Sequence, residues 1–208
     1  GSVNGVLEHS YASGSPDAGF YIGQCFPCNA VIRDVVSEWN GLGYSGTNSG
    51  GDLFIVESEF RDNRAGIVPN SGSYEGCYPE RETTVVGNYV HGNSNPDTDA
   101  IDAALLAQGT GIVTPGGRDN VIERNLVEDH ETAGIAIVPF PEDDPIAPIP
   151  EPEDFVEPCV EDAVPAPAEE MEGVDNPLLW EPYGNQVTDN VVSGSGEWDI
   201  VVLTLDGE

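Results

Sequence analysis

The stretch Asn120-Val-Ile-Glu-Arg-Asn125 decides the fold, because its pattern occurs five times along a chain of 208 residues. The other copies are the segments 29–34, 53–58, 83–88 and 185–190. A pattern that returns every few tens of residues is typical of a solenoid, in which each repeat forms one turn and packs on its neighbours. The sequence therefore predicts one elongated domain that grows by adding coils.

Aligning the five copies on their first residue predicts where each side chain points. The third and eighth positions are apolar in every copy, as stacked core residues require. They are Val31, Ile55, Val85, Ile122 and Val187, and Val36, Phe60, Val90, Val127 and Val192. The sixth positions can all hydrogen-bond to backbone at a bend, and Asn tolerates left-handed φ values, so we expect a polar turn ladder there. They are Asp34, Ser58, Asn88, Asn125 and Asn190, and the mostly charged fifth positions are expected to face solvent.

A second type of strand, which begins with Gly or Asp and continues with apolar residues, occurs six times. Side-chain alternation predicts that its core residues are Phe20, Leu42, Ile67, Ile112, Ile135 and Ile200. The predicted outward residues are Tyr21, Gly43, Val68, Val113, Ala136 and Val201, followed by Gly23, Ser45, Asn70, Pro115, Val138 and Leu203. Short strands stacked in parallel about 4.8 Å apart form a β-helix. The sequence thus predicts an all-β solenoid of about six coils.

Four segments relate this architecture to a family. They are Asp17-Ala-Gly-Phe-Tyr-Ile-Gly-Gln24, Gly43-Tyr-Ser-Gly-Thr-Asn48, Asn63-Arg-Ala-Gly-Ile-Val-Pro-Asn70 and Ala133-Gly-Ile-Ala-Ile-Val-Pro-Phe140. Through them the chain resembles the right-handed parallel β-helix repeat family of the pectate-lyase-like superfamily, nearest to its NosD-like branch, over residues 3–138 and 185–205. The resemblance implies a single-stranded right-handed solenoid. It implies no single activity, because the superfamily contains lyases, hydrolases, epimerases and non-enzymatic surface proteins.

Residues 139–184 interrupt the repeat with an acidic insertion that contains 11 of the 17 prolines and 14 of the 38 acidic residues. Its first residues, 139–145, are typical of an extended polyproline-type chain. Cys159 and Trp180 offer anchors, so we expect a partly ordered arm along the solenoid. Residues 1–208 then form a single domain, which we interpret as an excerpt of a longer solenoid. The alternative is end-to-end self-association through the open strand edges of the end coils.

The charge of the chain restricts its partners. Asp and Glu number 38 against 6 basic residues, all of them Arg, which gives a formal net charge of -32. Such a surface repels nucleic acid and anionic membranes, and no apolar stretch is long enough to cross a bilayer. Heavy carboxylation suits a salty medium and attracts cations. We therefore expect a halotolerant setting, with Ca²⁺ as the candidate cofactor.

The four cysteines follow the second type of strand and therefore lie at one edge of the predicted solenoid. Their even number favours two disulfides, Cys25 with Cys28 and Cys77 with Cys159, in a secreted or cell-surface protein. The alternative is a zinc site with four thiolate ligands. The histidines His9, His91 and His130 share no column, so we expect them on the surface. NosD-like metal handling would require clustered His, Met or Cys ligands.

The predicted outward strand face contains no ionisable group suited to acid–base catalysis. The remaining candidates are Asp97, Asp99 and Asp102, which lie in one loop and are either an acid–base pair or Ca²⁺ ligands. This loop lacks the glycine and the distal Glu of a calcium-binding loop.

The sequence favours a non-catalytic extracellular scaffold or binding module for neutral glycans or partner proteins. Its candidate binding residues are the aromatic residues Tyr21, Tyr44, Trp39 and Trp180. The alternatives are a polysaccharide lyase, hydrolase or epimerase that uses loop carboxylates or Ca²⁺, and a metal-handling protein like those of the NosD-like branch.

Overall fold

The computed structural model describes residues 2–142, 159 and 178–203. In these ranges the chain makes six circuits, and each circuit contributes one strand to each of three parallel sheets. The first circuit contains β1 (Val6–Glu8), β2 (Tyr11–Ser13) and β3 (Ala18–Tyr21). The second contains β4 (Ala30–Arg33), β5 (Val36–Glu38) and β6 (Leu42–Thr47). The third contains β7 (Gly50–Val56), β8 (Glu59–Arg61) and β9 (Ala65–Asn70).

The later circuits carry additional elements. The fourth contains β10 (Arg81–Val86), β11 (Tyr89–His91), a short helix α1 (Asp102–Leu106) and β12 (Thr110–Pro115). The fifth contains β13 (Val121–Glu123), β14 (Leu126–Glu128) and β15 (Ala133–Val138). An antiparallel pair, β16 (Phe140–Glu142) and β17 (Leu178–Trp180), precedes the sixth circuit. That circuit contains β18 (Gln186–Thr188), β19 (Val191–Ser193) and β20 (Trp198–Val202).

The strands of successive circuits pair with one another in three sheets. Sheet A contains β1, β4, β7, β10, β13 and β18, sheet B contains β2, β5, β8, β11, β14 and β19, and sheet C contains β3, β6, β9, β12, β15 and β20. All pairings within these sheets are parallel, and equivalent residues of successive circuits lie side by side. This stacking is consistent with the predicted parallel β-helix.

The core is built from columns of one side chain per circuit. The central column of sheet A is Leu7, Ile32, Ile55, Val85, Ile122 and Val187. That of sheet B is Ala12, Ser37, Phe60, Val90, Val127 and Val192. That of sheet C is Phe20, Tyr44, Ile67, Ile112, Ile135 and Ile200. The predicted core positions of the last four repeats are confirmed, since their side chains in the inner circuits are fully buried.

The predicted core positions of the second circuit are wrong by one residue. Ile32 and Ser37 point into the core, whereas Val31 and Val36 are only half-buried. Apolar residues occur in adjacent pairs here, so the pattern fits two registers equally well, and a slip of one residue reverses the face of every side chain.

The sheet C strand of the same circuit is also shifted. Tyr44 occupies the core column, while Leu42 is fully buried in a separate cluster with Ala104 and Ala107 of the α1 segment. The residue that lies beside Tyr21 and Val68 on the outward face is Ser45, and not Gly43 as the sequence predicts.

A ladder of polar side chains follows the bend between sheets A and B, here called the A–B corner. Oδ1 of Asn125 accepts hydrogen bonds from the backbone N–H and from Nδ2 of Asn88, both at 3.0 Å. Nδ2 of Asn125 donates to the carbonyl of Val85 at 3.0 Å and to Oδ1 of Asn190 at 2.9 Å. Ser58 joins the ladder through its N–H, which donates to Asn88. The predicted polar turn ladder is confirmed for four circuits, and in the second circuit Val35 replaces the predicted Asp34.

The left-handed backbone at this corner lies one residue before the ladder. Glu57, Arg124 and Asp189 have φ values of 47°, 52° and 54°, and Gly87 has 69°. These are the fifth positions of the repeat, three of them charged and one glycine, whereas the sequence predicts the left-handed tolerance at the sixth. The left-handed residue turns the chain and aims the next side chain inward, so it can stay exposed itself.

The bend between sheets B and C, the B–C corner, has a similar ladder of Asn side chains in which one position is a histidine. Asn40 donates its N–H to Asn63 and Asn63 donates its N–H to Asn93, at 3.0 and 3.1 Å. In the next circuit the position is occupied by His130, whose Nε2 lies 3.3 Å from Nδ2 of Asn93. The buried Nδ1 of His130 has no hydrogen-bond partner among the described residues.

The third bend, the C–A corner, contains a buried carboxyl group. Glu80 is fully buried, and its two oxygens accept hydrogen bonds from Oγ1 of Thr83 at 2.7 Å and from Nδ2 of Asn120 at 2.8 Å. Burial raises the pKa of Glu80 to about 8, against the smaller lowering effect of these bonds. The group is therefore mostly protonated at neutral pH.

Most of the predicted 139–184 insertion lies outside the described residues. Its described parts are 139–142, Cys159 and 178–184, and β16 and β17 pack with Tyr78 and Cys77. Across the parts of the chain that the structure describes, no helix has the length and apolarity needed to cross a membrane.

Candidate functional site

The outward face of sheet C holds the candidate site. Its residues Ser45, Val68, Val113 and Ala136 are buried, so the structure covers the small, apolar strand face that the sequence predicts. The α1 segment covers part of it through Ala104 and Ala107. The acidic insertion, which we expect to lie along the solenoid, falls mostly outside the described residues, so its contact with this face stays a prediction.

The segment 71–77 brings polar and aromatic groups onto the first three circuits of this face. The Tyr21 hydroxyl donates a short hydrogen bond to the Glu75 carboxylate. Nδ2 of Asn70 donates to the Tyr74 hydroxyl at 2.7 Å, and Oγ1 of Thr47 donates to Oδ1 of Asn70 at 3.3 Å. We call these five residues the Tyr21 cluster.

The electrostatics of the Tyr21 cluster favour neutral forms. Partial burial raises the pKa of Glu75, against the lowering effect of hydrogen bonds from Tyr21 and Gln24. Burial, followed by the neighbouring Glu75, raises the pKa of the Tyr21 phenol. Burial also raises the pKa of Asp17, whose charge contributes to the raised pKa of Glu75. Two carboxyl groups with raised pKa values therefore lie near one another at this face.

Several interactions hold the segment that carries Glu75 in place. Nδ2 of Asn48 donates to the carbonyls of Gly72 and Glu75 at 2.7 and 2.6 Å, and Oδ1 of Asn48 accepts from the N–H of Gly72. The buried Glu142 carboxylate accepts hydrogen bonds from the Ser73 N–H, the Ser73 hydroxyl and Nε1 of Trp180, at 2.9, 2.7 and 2.9 Å. The Tyr21 cluster is thus preorganised, which lowers the entropic cost of binding a ligand.

The exposed surface of the cluster combines two ring faces with hydrogen-bonding groups. Tyr21 and Tyr74 are each 43% exposed, and Glu75 is half-buried. Aromatic rings stack on apolar faces of ligands, while hydroxyl, amide and carboxyl groups can bind several hydroxyl groups. This chemistry suits a neutral polyhydroxylated ligand.

The four candidate aromatic residues differ in their exposure and lie in different parts of the fold. Tyr21 and Trp39 are exposed, but they lie on different elements, Tyr21 on β3 and Trp39 at the B–C corner. Tyr44 and Trp180 are fully buried, the first in the core column and the second against Tyr78 at 5.5 Å between ring centroids. Their proposed binding role is wrong, because neither ring offers a surface to a ligand.

The carboxylates Asp97, Asp99 and Asp102 are all exposed in the segment before and within α1. Among the residues with described positions, no group of three or more His, Cys, Asp or Glu side chains is close enough to hold a metal ion. The predicted Ca²⁺ site and acid–base pair therefore stay predictions without support from the geometry.

All four cysteines form disulfides, with the pairing that their even number and shared edge predict. Cys25 is bonded to Cys28 and Cys77 to Cys159, with Cα atoms 4.9 and 5.0 Å apart. No thiolate is then left for the alternative zinc site. Arg81 links the two disulfide regions, because its guanidinium stacks 3.6 Å from the Phe26 ring and donates to the carbonyls of Cys77 and Pro79.

The three histidines lie in different columns, as predicted. His9 is exposed beside Asp34, and His91 lies on sheet B. His130 is buried, so its predicted surface position is wrong. Desolvation lowers the pKa of His130 to about 4, with a further contribution from His91.

The outward face of sheet B carries a network that the sequence alone does not suggest. Glu38 accepts hydrogen bonds from Tyr11 and Arg61 at 2.6 Å each, and Arg61 also donates to Glu59 at 2.7 Å. His91 lies 3.0 Å from Glu59. The members of this network bind one another within β8 and between neighbouring strands, and the contacts between strands stabilise the sheet.

Sequence reasoning missed Tyr74 and Glu75 because the periodicity of the strands does not show which loop residues fold back onto the outward face of sheet C. Their signal was positional, since the connection between β9 and β10 begins directly after Asn70 at the end of a sheet C strand. Two disulfides are typical of an oxidising, extracellular environment.

Comparison with protein-family models, with curated proteins and with solved structures gave no match to this chain.

Proposed function

We propose that this protein is a non-catalytic extracellular scaffold, secreted or at the cell surface, that binds a neutral glycan through the Tyr21 cluster. The observation that carries the proposal is the hydrogen-bonded pair Tyr21 and Glu75, set beside the half-exposed ring of Tyr74. A sugar ring presents apolar C–H faces and hydroxyl edges, which match aromatic rings and carboxyl or amide groups respectively.

The charge of the chain supports a neutral ligand over an anionic one. With a formal net charge of -32, the protein repels anionic polymers at long range, while a neutral polymer approaches without this cost. The same charge keeps the protein hydrated in salt, which agrees with the proposed halotolerant setting. The right-handed winding and the membership of the β-helix repeat family are part of the same proposal, and their support is the repeat and the parallel stacking of three sheets.

Binding of neutral oligosaccharides tests the proposal. Isothermal titration of the full chain with cellohexaose, xylohexaose and mannohexaose should show saturable binding of at least one of them. Tyr21→Ala and Tyr74→Ala should each weaken that binding by about tenfold or more, on the scale of one lost aromatic stacking contact. The matched control is Tyr183→Ala, which removes an exposed ring from another part of the chain.

Two results would count against the Tyr21 cluster. Unchanged affinity in both cluster variants, or a loss of affinity only in Trp39→Ala, would place the binding site elsewhere. Absence of binding to all three oligosaccharides would overturn the neutral-glycan proposal.

A second candidate function is a carbohydrate-active enzyme, a lyase, hydrolase or epimerase, that uses the same cluster. The observation that favours it is the pair of carboxyl groups Glu75 and Asp17, both with pKa values raised by burial. A raised pKa lets a carboxyl group hold its proton to higher pH, which is a property that a general acid needs. Product formation from neutral or acidic polysaccharides, abolished in Glu75→Gln, would establish catalysis, whereas binding without turnover leaves the scaffold as the function.

A further inference from the structure

The α1 segment displays large aliphatic side chains to solvent. Ile101, Leu105 and Leu106 are 41%, 51% and 77% exposed, and the value for Leu106 is the highest among the large apolar side chains of the described residues. Ile101 immediately precedes the helix, and its carbonyl accepts a hydrogen bond from the N–H of Leu105 at 3.1 Å, while Leu105 and Leu106 are neighbours at the end of α1. Clustered aliphatic groups on a surface mark an interaction site more often than single ones do.

The opposite face of the helix is fixed to sheet C. Ala104 and Ala107 are buried and pack in one cluster with Leu42 and Ala65. The N–H of Ile101 donates to the carbonyl of Pro16 at 3.0 Å, which ties the start of the helix to the first circuit. The outer aliphatic face is therefore presented on a supported element.

Arg64 fixes the segment that precedes the helix. Its Nη2 atom donates to the carbonyls of Pro96 and Thr98 at 2.6 and 2.5 Å, and its Nη1 atom donates to Oε1 of Gln108 at 2.7 Å. The carbonyls belong to the stretch that carries Asp97 and Asp99, while Gln108 follows the helix. The half-buried guanidinium of Arg64 thus binds both the stretch before α1 and the residue that follows it.

Carboxylates accompany the aliphatic residues. Asp97, Asp99 and Asp102 are exposed, and Asp102 lies four residues before Leu106 on the same helix face. We call these three carboxylates together with Ile101, Leu105 and Leu106 the α1 patch. The patch has an aliphatic centre and negative charge, so a complementary surface carries aliphatic groups and positive charge.

We infer that the α1 patch is a docking surface for a protein segment that presents aliphatic side chains flanked by Lys or Arg. A second copy of this chain fits poorly, because it has 6 basic residues against 38 acidic ones. An anionic membrane is repelled by the same carboxylates. A glycan would require aromatic rings, and the six residues of the patch are all aliphatic or acidic.

A binding titration with a defined probe tests this inference. The probe is a fluorescein-labelled amphipathic helical peptide of leucine and lysine, and the readout is fluorescence anisotropy with the full chain. The double variant Leu105→Ser/Leu106→Ser should bind the peptide at least about tenfold more weakly than the wild type. The triple variant Asp97→Asn/Asp99→Asn/Asp102→Asn should lose a similar factor at low salt and less at high salt.

Matched controls separate the α1 patch from the general charge of the protein. Val191→Ser/Val202→Ser removes equally exposed aliphatic groups from the last circuit, and Asp52→Asn/Asp119→Asn/Glu82→Gln removes three exposed carboxylates elsewhere. Both controls should retain wild-type affinity for the peptide. The inference is overturned if the wild type shows no saturable binding, if the patch variants bind like the wild type, or if the controls lose as much affinity as the patch variants.

Discussion

The A–B and B–C corners solve the same problem with different side chains. At each bend the chain leaves backbone groups that cannot join a sheet, and a stacked row of side chains must bind them. The A–B corner uses Asn in three successive circuits, and each amide both accepts and donates. The B–C corner interrupts its row with His130, whose Nδ1 finds no partner among the described residues. The difference shows that an amide continues the ladder, whereas an imidazole ends it.

The C–A corner contains an acidic group, Glu80, where the B–C corner contains the basic His130. Its buried Glu80 is kept mostly neutral at neutral pH, as His130 is at the B–C corner. The A–B ladder contains no titratable side chain among its described members Ser58, Asn88, Asn125 and Asn190. The A–B ladder therefore contains no side chain that responds to pH. Acid weakens the B–C corner through His130, and base weakens the C–A corner through Glu80.

Removing an amide from the uninterrupted ladder should have the largest effect. Asn125→Ala deprives the buried N–H of Asn88 and the carbonyl of Val85 of their partners, and we expect a loss of about 4 kcal/mol in the free energy of unfolding. Urea denaturation followed by circular dichroism measures it. The control Thr188→Ala, at an exposed strand position, should stay within about 0.5 kcal/mol of the wild type. Equal stability of the two variants would show that the ladder is dispensable.

Acid should weaken the B–C corner through His130. Its pKa in the folded chain is about 4, below the ordinary value of 6.5, so the unfolded chain takes up the proton first as pH falls. Stability from this group is present above about pH 6.5 and falls by about 3 kcal/mol as pH reaches about 4. His130→Asn should abolish this contribution. The measurement is the difference in unfolding free energy between variant and wild type across that range, and a constant difference would contradict the prediction.

Base should weaken the C–A corner through Glu80, with the opposite sign. The folded-state pKa of about 8 lies above the ordinary 4.5, so stability from this group is fully present below about pH 4.5 and is lost as pH rises through 8. The loss between about pH 4.5 and about pH 7 should be about 3 kcal/mol. Glu80→Gln keeps the shape and should be more stable than the wild type above neutral pH, as denaturant titrations at several pH values would show. A wild type that stays ahead of Glu80→Gln at high pH would refute this.

The smallest effect concerns the left-handed residue that precedes the ladder. Gly87 has a φ of 69°, and a Cβ placed on it would lie 4.0 Å from Cγ of Glu57, so there is room for a side chain. Gly87→Ala should therefore cost only the strain of a left-handed alanine, about 1 kcal/mol. Gly5→Ala is the matched control, since Gly5 also has open space but no left-handed φ. A thermal unfolding midpoint that is equally affected in both variants would argue against the left-handed origin of the cost.

The fold could be read from the sequence where an Asn marks the bend. The copies around Asn88, Asn125 and Asn190 also contain adjacent apolar residues, but the Asn at the sixth position fixes which residue of each pair enters the core. The second circuit has Val35 in the place of the Asn and apolar pairs on both sides, and its register could only be fixed by the neighbouring strands.

The candidate site was less accessible to sequence reasoning. Tyr21 was identified from its place on a strand, but Glu75 reaches it across 54 residues of sequence through an insertion whose path no periodicity describes. The burial of Tyr44 and His130 was hidden for another reason. Both stand in columns that other circuits fill with Ile or Asn, and a side chain that resembles a surface residue in isolation is interior by virtue of its column.

The bond between Cys77 and Cys159 has a mechanical consequence. The two residues are 82 positions apart in sequence, and the strands β10 to β16 lie between them. Tension applied to the first and last circuits passes through the covalent bond. The fourth and fifth circuits, which lie between the two cysteines, therefore carry no load. About 280 Å of extended chain is then withheld from stretching. In a single-molecule pulling experiment, the fully extended oxidised protein should accordingly be shorter than the reduced protein by this length.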